Sequence, residues 1–579
     1  MGPSVSCMWC SGVQKVSGLI CWRSLEGAEA GMHSEITAKP EANKRRFWSW
    51  AALGQRLFGI YLATVLMLII FVAPGEAYAA KRPTALVNPL YCVLAVLVVL
   101  GGCFLKAMLW PNQHTDVAAF PLGLMDEVRQ AEQRKSPHWL FPAIIGIGSV
   151  LLFLLQMFIM SQAFFVTGWD AGIVTSSEAA NNKAYFSNYP NQLFLAGVFA
   201  KLMAYGAHLG LMNGYGLLVG VSCLCVTLSL VLVTYVARRL CGTGAACVFF
   251  TVAAVFVGLS PWILVPYSDT YGMLFTSLIL WFYVCCPIAS IRWFGIALCS
   301  CIGYAIKPTI VFALVAIVAA EACACITRFG NKQKTVAGPA VFITNSPQRR
   351  GLRRVAMSAL TVMAALMGFL LGNALVSQGS LKVEGLDESK AFSATHFLMM
   401  GFNPQTRGVY SLEDVQLSDA QPNPHARRDK NLSVFKERLE NAGFGQTLML
   451  LGDKVCTNYA DGTFAWKVEG NFVVHTSRDN TLIKKIYGIK NEDMPFAPIF
   501  QVIWFAVLLG ALICVLKRGY AGKYVNMMGF SLLFLSGFLT LFECRARYLF
   551  LYSPYFILLA VVGWQHVADW AHARRARLV

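Results

Sequence analysis

Apolar runs of roughly 17–25 residues, each long enough to cross a ~30 Å hydrocarbon core as an α-helix, recur along most of this 579-residue chain. Twelve are predicted, over 56–73, 87–109, 140–161, 213–237, 243–264, 268–285, 290–306, 308–326, 355–376, 498–516, 524–542 and 548–568. With 56% hydrophobic and only 13% charged residues, a water-soluble fold would have to hide more apolar surface than its size permits. The sequence therefore predicts an all-α polytopic membrane protein.

Basic residues give the orientation. Lys44, Arg45 and Arg46 precede the first span, Arg238 and Arg239 follow the fourth, and Arg574, Arg575 and Arg577 close the chain. Twelve spans place all of them on one side, together with Arg328, Lys332, Lys334, Arg349, Arg350, Arg353 and Arg354 between spans eight and nine. By the positive-inside rule that side is cytoplasmic, so both termini are expected inside a multi-pass cell-membrane protein. Merging 290–326 into one helix would invert the basic loop, and Pro308 after Lys307 argues for a break there. The net charge of +18 is accounted for by loops facing anionic membrane lipid and calls for no nucleic acid.

The predicted organisation is a cytoplasmic tail over 1–46, two extra spans and a cytoplasmic linker over 47–139, and a membrane module over 140–376 with its first outer loop at 162–212. An extracytoplasmic region follows over 377–497, with the last spans and a short tail over 498–579. Residues 1–46 lack the apolar core of a secretory signal and read as a tail, or as an early start with Met32 the initiator. Most of the eighteen cysteines fall inside spans, where Cys is a small apolar residue; Cys456 and Cys544, near the outer face, are the pair for which a disulfide is chemically open. In the first outer loop Phe194, Val198, Leu202, Tyr205 and Leu209 recur at helical spacing, with Lys201 and His208 on another face, as in a helix lying in the headgroup plane. The 377–497 region is turn-rich, helical around 431–450 and otherwise of mixed α/β character.

Charged residues collect at the outer edge, as expected when an ionisable group in hydrocarbon costs about 2.5–3.5 kcal/mol. Asp170 follows Gly168-Trp169 directly after the third span, and Tyr185-Phe186-Ser187-Asn188-Tyr189-Pro190-Asn191-Gln192 lies in the same loop. An acid at the membrane surface beside a polar, aromatic loop suits chemistry on a lipid-borne substrate. Glu178 reads as solvated. Asp269, in Tyr267-Ser268-Asp269-Thr270, is either a second site acid or part of a helix N-cap. Lys307 and Glu543-Cys544-Arg545-Ala546-Arg547-Tyr548 fall at the same level. The arginine fork matches phosphate oxygens, although Arg545 or Arg547 could instead pair with Glu543 or snorkel to headgroups. Trp169, Tyr185, Tyr189, Asn191, Tyr267 and His396 are candidate substrate contacts; His396 is equally a satisfied structural residue and alone is no metal site.

In their order and sidedness, the loop acid Asp170, the Tyr-Phe-Ser-x-Tyr-Pro-Asn-Gln segment, the interfacial helix, Asp269 and Arg547-Tyr548-Leu549-Phe550 resemble the GT-C superfamily. The chain is similar there to bacterial glycosyltransferases related to dolichyl-phosphate-mannose-protein mannosyltransferases and aminoarabinose transferases, most clearly over about 140–310. The resemblance implies transfer of a sugar from a polyprenyl-phosphate donor to a cell-envelope acceptor on the outer face, with inversion. It makes Asp170 the catalytic base, puts Asp269 near the substrate or an optional divalent cation, and leaves the donor phosphate to Arg545, Arg547 or Lys307. Asp170-Ala171 stands where the protein mannosyltransferases commonly carry an acidic pair, which leaves the acceptor open among glycan, lipid and protein.

No phosphate-cradling glycine loop supports a nucleotide-sugar donor. A two-carboxylate glycosidase would need Asp170 and Asp269 at a defined separation. A transporter or lipid flippase is the rival class; it predicts polar groups facing one another at mid-bilayer, whereas a transferase predicts Asp170, Asp269 and Arg545 or Arg547 converging on one outer cavity.

Overall fold

The computed structural model describes residues 50–71, 87–109, 139–210, 213–332, 347–476, 481–490, 494–517 and 522–575. The expected N-terminal tail with Met32, the linker 110–138 and Lys334 of the basic loop lie outside the described residues. Trp48–Val579 form one compact unit.

Each of the twelve expected spans coincides with helix. Among the described residues eight helices are long and apolar enough to cross a membrane: Leu53–Phe71, Leu140–Ala163, Gly214–Cys241, Ala289–Ile306, Pro308–Thr327, Val355–Gly379, Ala497–Leu516 and Lys523–Leu541. The other four positions hold Val87–Leu109, Thr243–Ala253 with its continuation, Ser268–Cys285 and Ser553–Arg575. Asn88–Gly102 and Thr243–Gly258 are shorter apolar stretches, Ser268–Cys285 opens on Ser-Asp-Thr-Tyr, and Ser553–Arg575 ends in polar residues. The chain is an all-α polytopic integral membrane protein.

Tight crossings hold the bundle together. A Cβ on Gly563 would sit 1.9 Å from the Gly510 carbonyl oxygen, and one on Gly368 would sit 2.3 Å from that of Phe294. Side-chain-free contact lets backbones approach where apolar burial gives little drive, since lipid is as apolar as leucine. The expected fifth span breaks into a π-turn over Ala254–Gly258. Gln156, buried in the third span, compensates: its amide donates to the Gly258 carbonyl (2.8 Å) and its oxygen accepts from Thr227 (2.9 Å). Irregular backbone at membrane depth persists where protein groups satisfy it in this way. At the other end of the bundle buried Arg56 donates to the Val515 and Lys517 carbonyls (both 2.9 Å), capping the Ala497–Leu516 helix.

The helix expected in the headgroup plane is present as Leu193–His208. Phe194, Leu195, Ala196 and Phe199 pack into the protein, while Tyr205 and Leu209 of the expected apolar stripe are exposed. The 377–497 region is mainly helical, over Ala394–Gly401, Leu412–Asp419, Pro424–Tyr459 and Leu482–Tyr487. Its strand, Val473–Thr476, pairs antiparallel with Phe165–Thr167 of the first loop, with Phe165 opposite Thr476. The ladder joins two loops distant in sequence, a long-range pairing that local pattern does not encode. Cys456 and Cys544 are both buried, and no disulfide joins them.

Candidate functional site

The strand ladder delivers Asp170. Gly168 donates its N–H to the Phe472 carbonyl (2.8 Å), and Trp169 then adopts φ +46°, a left-handed conformation costing a non-glycine residue of order 1–3 kcal/mol. The turn starts the short helix Trp169–Val174 at once, with Asp170 in its first turn. The Trp169 indole meets Tyr267 edge-on (ring centroids 4.9 Å) and lies 4.4 Å from the Arg547 guanidinium carbon. Asp170 is half-buried. Burial pushes its carboxyl above the usual carboxylate range; Arg547 and Arg545 oppose this, Glu543 adds to it, and the Tyr185 phenol favours the charged form.

Asp269 is 2% exposed, in the first turn of Ser268–Cys285, where the helix N-terminus favours a carboxylate. One of its oxygens contacts the Lys307 ammonium, and the other lies 3.3 Å from Arg547. The N-cap of this helix is Tyr267, whose N–H donates to the Thr270 hydroxyl (3.5 Å), and the Asp269 carboxylate turns to Lys307 and Arg547 instead. Lys307 is placed by its successor: a residue before proline is driven to extended backbone, and Lys307 takes φ −154°, ψ 117° between Ala289–Ile306 and the Pro308–Ile310 turn. Its ammonium also sits 3.5 Å from the Tyr548 ring centroid.

Arg545 and Arg547 stand on a turn fixed from behind. Buried Lys454 donates to the carbonyls of Gly401 (2.7 Å) and Phe542 (2.6 Å), and Cys544 N–H donates to the Gly408 carbonyl (2.8 Å). Arg545 pairs with Glu543 at 2.8 Å, the alternative raised from sequence. Glu469, which sequence reasoning did not single out, joins both arginines: its Oε2 lies 3.3 Å from Arg547 Nε and 3.8 Å from an Arg545 terminal nitrogen. It is 4% exposed, on a π-turn over Trp466–Gly470 that follows two left-handed residues, Phe464 and Ala465. Trp466 and Trp262 pin that turn through indole bonds to the Tyr487 (2.8 Å) and Thr463 (3.0 Å) carbonyls. The one sequence hint is a tryptophan inside a polar Trp-Lys-Val-Glu-Gly stretch.

The aromatic candidates gather around these charges. Tyr185 and Tyr189 meet at a tilt with ring centroids 5.1 Å apart, and burial raises both phenols above their ordinary value, with the Asp170 charge adding to the effect. Both therefore act as O–H groups. Tyr267 accepts a hydrogen bond from Gln192 (2.8 Å); it is Gln192, and not the exposed Asn191, that reaches the cluster. Glu178 is exposed, as expected. His396 stands apart: fully buried, stacked on Phe392 at 4.1 Å, with Nδ1 2.7 Å from Ser418, it reaches the site through Phe392, whose ring meets Tyr189. Burial pushes its imidazole down to about 4, so it is neutral at physiological pH.

The cations expected to wait for phosphate are thus already engaged by carboxylates. Arg545 is the most accessible of them, its side chain 20% exposed against 6% for Arg547 and for Lys307. Asp269 spends both oxygens on cations, and among the described residues no group of three or more His, Cys, Asp or Glu is arranged for a metal; the optional divalent cation does not fit these residues. Chemically, the cluster offers a carboxylate of raised proton affinity beside fixed positive charge.

No curated protein and no solved structure matches the chain. Residues 130–568, well over half of its length and including every charged member of the cluster, match a family described as conserved hypothetical integral membrane proteins, and the chain belongs to that family.

Proposed function

We propose that this protein is a membrane glycosyltransferase that moves a sugar from a polyprenyl-phosphate donor to a cell-envelope hydroxyl on the outer face, with both termini cytoplasmic. The observation that supports the reading is the meeting of Asp170 with Asp269, Lys307, Arg545 and Arg547, contributed by four separated stretches of chain, at one end of the bundle. In this reading Asp170 accepts the acceptor hydroxyl proton as its oxygen attacks the sugar C1 from the face opposite the phosphate. The C1–O bond breaks and its electron pair leaves with the polyprenyl phosphate. Negative charge disappears from Asp170 as it grows on the phosphate, so the reacting centre keeps a constant total charge. A base of raised proton affinity suits that exchange. Arg545, the most accessible cation, meets the phosphate first; Arg547 and Lys307, fixed by Asp269 and Glu469, stabilise the growing charge without reorganising.

The test is to incubate purified protein and its Asp170→Asn variant with radiolabelled polyprenyl-phosphate sugars and envelope acceptor fractions, and to measure transfer together with released polyprenyl phosphate. Wild-type transfer that the variant loses supports the reading. Absence of turnover with every donor, together with lipid or solute movement in vesicles, overturns it in favour of transport.

A further inference from the structure

The long helix Pro424–Tyr459 changes chemical character at a kink. Its first part carries Arg427, Arg428, Asp429, Lys430, Lys436, Glu437, Arg438 and Glu440; after Gly443 it reads Phe444-Gly445-Gln446-Thr447-Leu448-Met449-Leu450-Leu451. Gly443 has φ +61°, the left-handed region that glycine enters without strain. Beyond it Phe444, Leu448 and Met449 are 86%, 57% and 65% exposed. Soluble surfaces seldom present such a run.

The end of the same helix fixes its height. Lys454–Tyr459 are buried: the Tyr459 ring lies 6.1 Å from that of Tyr61 in the first span, its hydroxyl is 2.6 Å from Ser536 in Lys523–Leu541, and its carbonyl accepts from Trp504 in Ala497–Leu516 (2.7 Å). All three partners lie inside helices apolar enough to cross a membrane. At 1.5 Å per residue, Phe71 stands about 15 Å above Tyr61, and Met449 about 15 Å above Tyr459. The first span's own Met67 and Phe71 are exposed too; Leu448 and Met449 stand level with that exposed end, and Phe444, about 22 Å above Tyr459, stands just beyond it.

Backbone that turns inside hydrocarbon must be satisfied by protein, and the turn after Tyr459 is. Gln501 donates to the Ala460 carbonyl and accepts from Gly462 N–H (both 2.8 Å), while Asp461 accepts from the N–H groups of Thr463 (2.8 Å) and Ala465 (3.0 Å).

We propose that residues 443–464 form a re-entrant hairpin in the leaflet at the site end of the bundle, with Phe444, Leu448 and Met449 facing lipid acyl chains. This stands independently of glycosyl transfer. The hairpin ends a few residues before Glu469, so its buried end, which carries Lys454, leads directly into the arginine clamp.

The experiment places p-azidophenylalanine singly at Phe444, Leu448 and, as control, exposed Lys436. Each full-length variant is reconstituted in phosphatidylcholine–phosphatidylglycerol vesicles with radiolabelled acyl chains and irradiated. Lipid adducts severalfold more abundant at 444 and 448 than at 436 are expected. Equal yields at the three positions, or crosslinks joining two copies of the chain at 444 and 448, would overturn the proposal. The substitution at Phe444 is nearly isosteric and keeps the test valid should the Leu448 variant fail to fold.

Discussion

Two charge clusters in this bundle use the same chemistry under opposite conditions. At the site end, Asp269, Lys307, Arg547 and Glu469 interlock with side chains 3–6% exposed. At the second cluster, Glu321 accepts from Lys523 at 3.0 Å and from Tyr283 at 2.9 Å, with the ion-pair side chains about one third exposed. An ion pair that water reaches is worth about 0–1 kcal/mol. Breaking a buried pair from one side costs about 3–5 kcal/mol, because a charge is left without a partner. The difference separates a surface fastening from a network whose burial makes every member indispensable to the others, and Asp170 sits beside the second kind.

The sharpest way to use that contrast is Asp170→Asn. Transfer is expected to fall by about 10²–10⁴ with no loss of thermal stability in detergent, since the variant removes a carboxylate that burial disfavours; near-normal turnover would detach Asp170 from the chemistry. Next in size, Arg547→Met should destabilise by about 3–5 kcal/mol, with Glu469→Gln weaker because Asp269 still holds Arg547. Denaturation midpoints that match wild type would show water reaching the cluster. A smaller effect follows from pH. With its carboxyl raised by burial, Asp170 loses its base function as pH falls through the raised value, giving kcat/KM an acid limb above the usual carboxylate midpoint of about 3.9. Its contribution to stability runs the other way, present in acid and lost as pH rises through the folded-state value. Parallel pH profiles of rate and unfolding, in wild type and Asp170→Asn, check both signs. Least of all, Lys523→Met should shift stability by no more than about 1 kcal/mol and leave transfer unchanged; a large loss of transfer would erase the distinction between the two clusters.

What the chain discloses by itself follows from the range of the interactions involved. The spans are legible because crossing hydrocarbon demands a long apolar run in one stretch. Asp170, Asp269, Lys307, Arg545 and Arg547 are legible because charge is driven to the edges of such runs, and edges on one side are neighbours. Glu469 is hidden: its role depends on a turn held by Trp262, some two hundred residues earlier. Gln192 is one residue from the candidate Asn191, and its burial and its bond to Tyr267 separate them. The strand ladder is hidden for the same reason, since three or four residues of strand carry no periodicity of their own.

That ladder has a consequence for biogenesis. Thr476 donates from its hydroxyl to the carbonyl of Phe164, a partner 312 residues earlier in the chain, and the adjoining Gly168–Phe472 bond sets the turn that carries Asp170. At usual synthesis rates of 5–20 residues per second, the first loop waits about 15–60 s for its partner strand. The arginines arrive later still, with the final spans. The site is therefore among the last parts of the molecule to assemble, and a chain arrested partway through membrane insertion carries no completed centre.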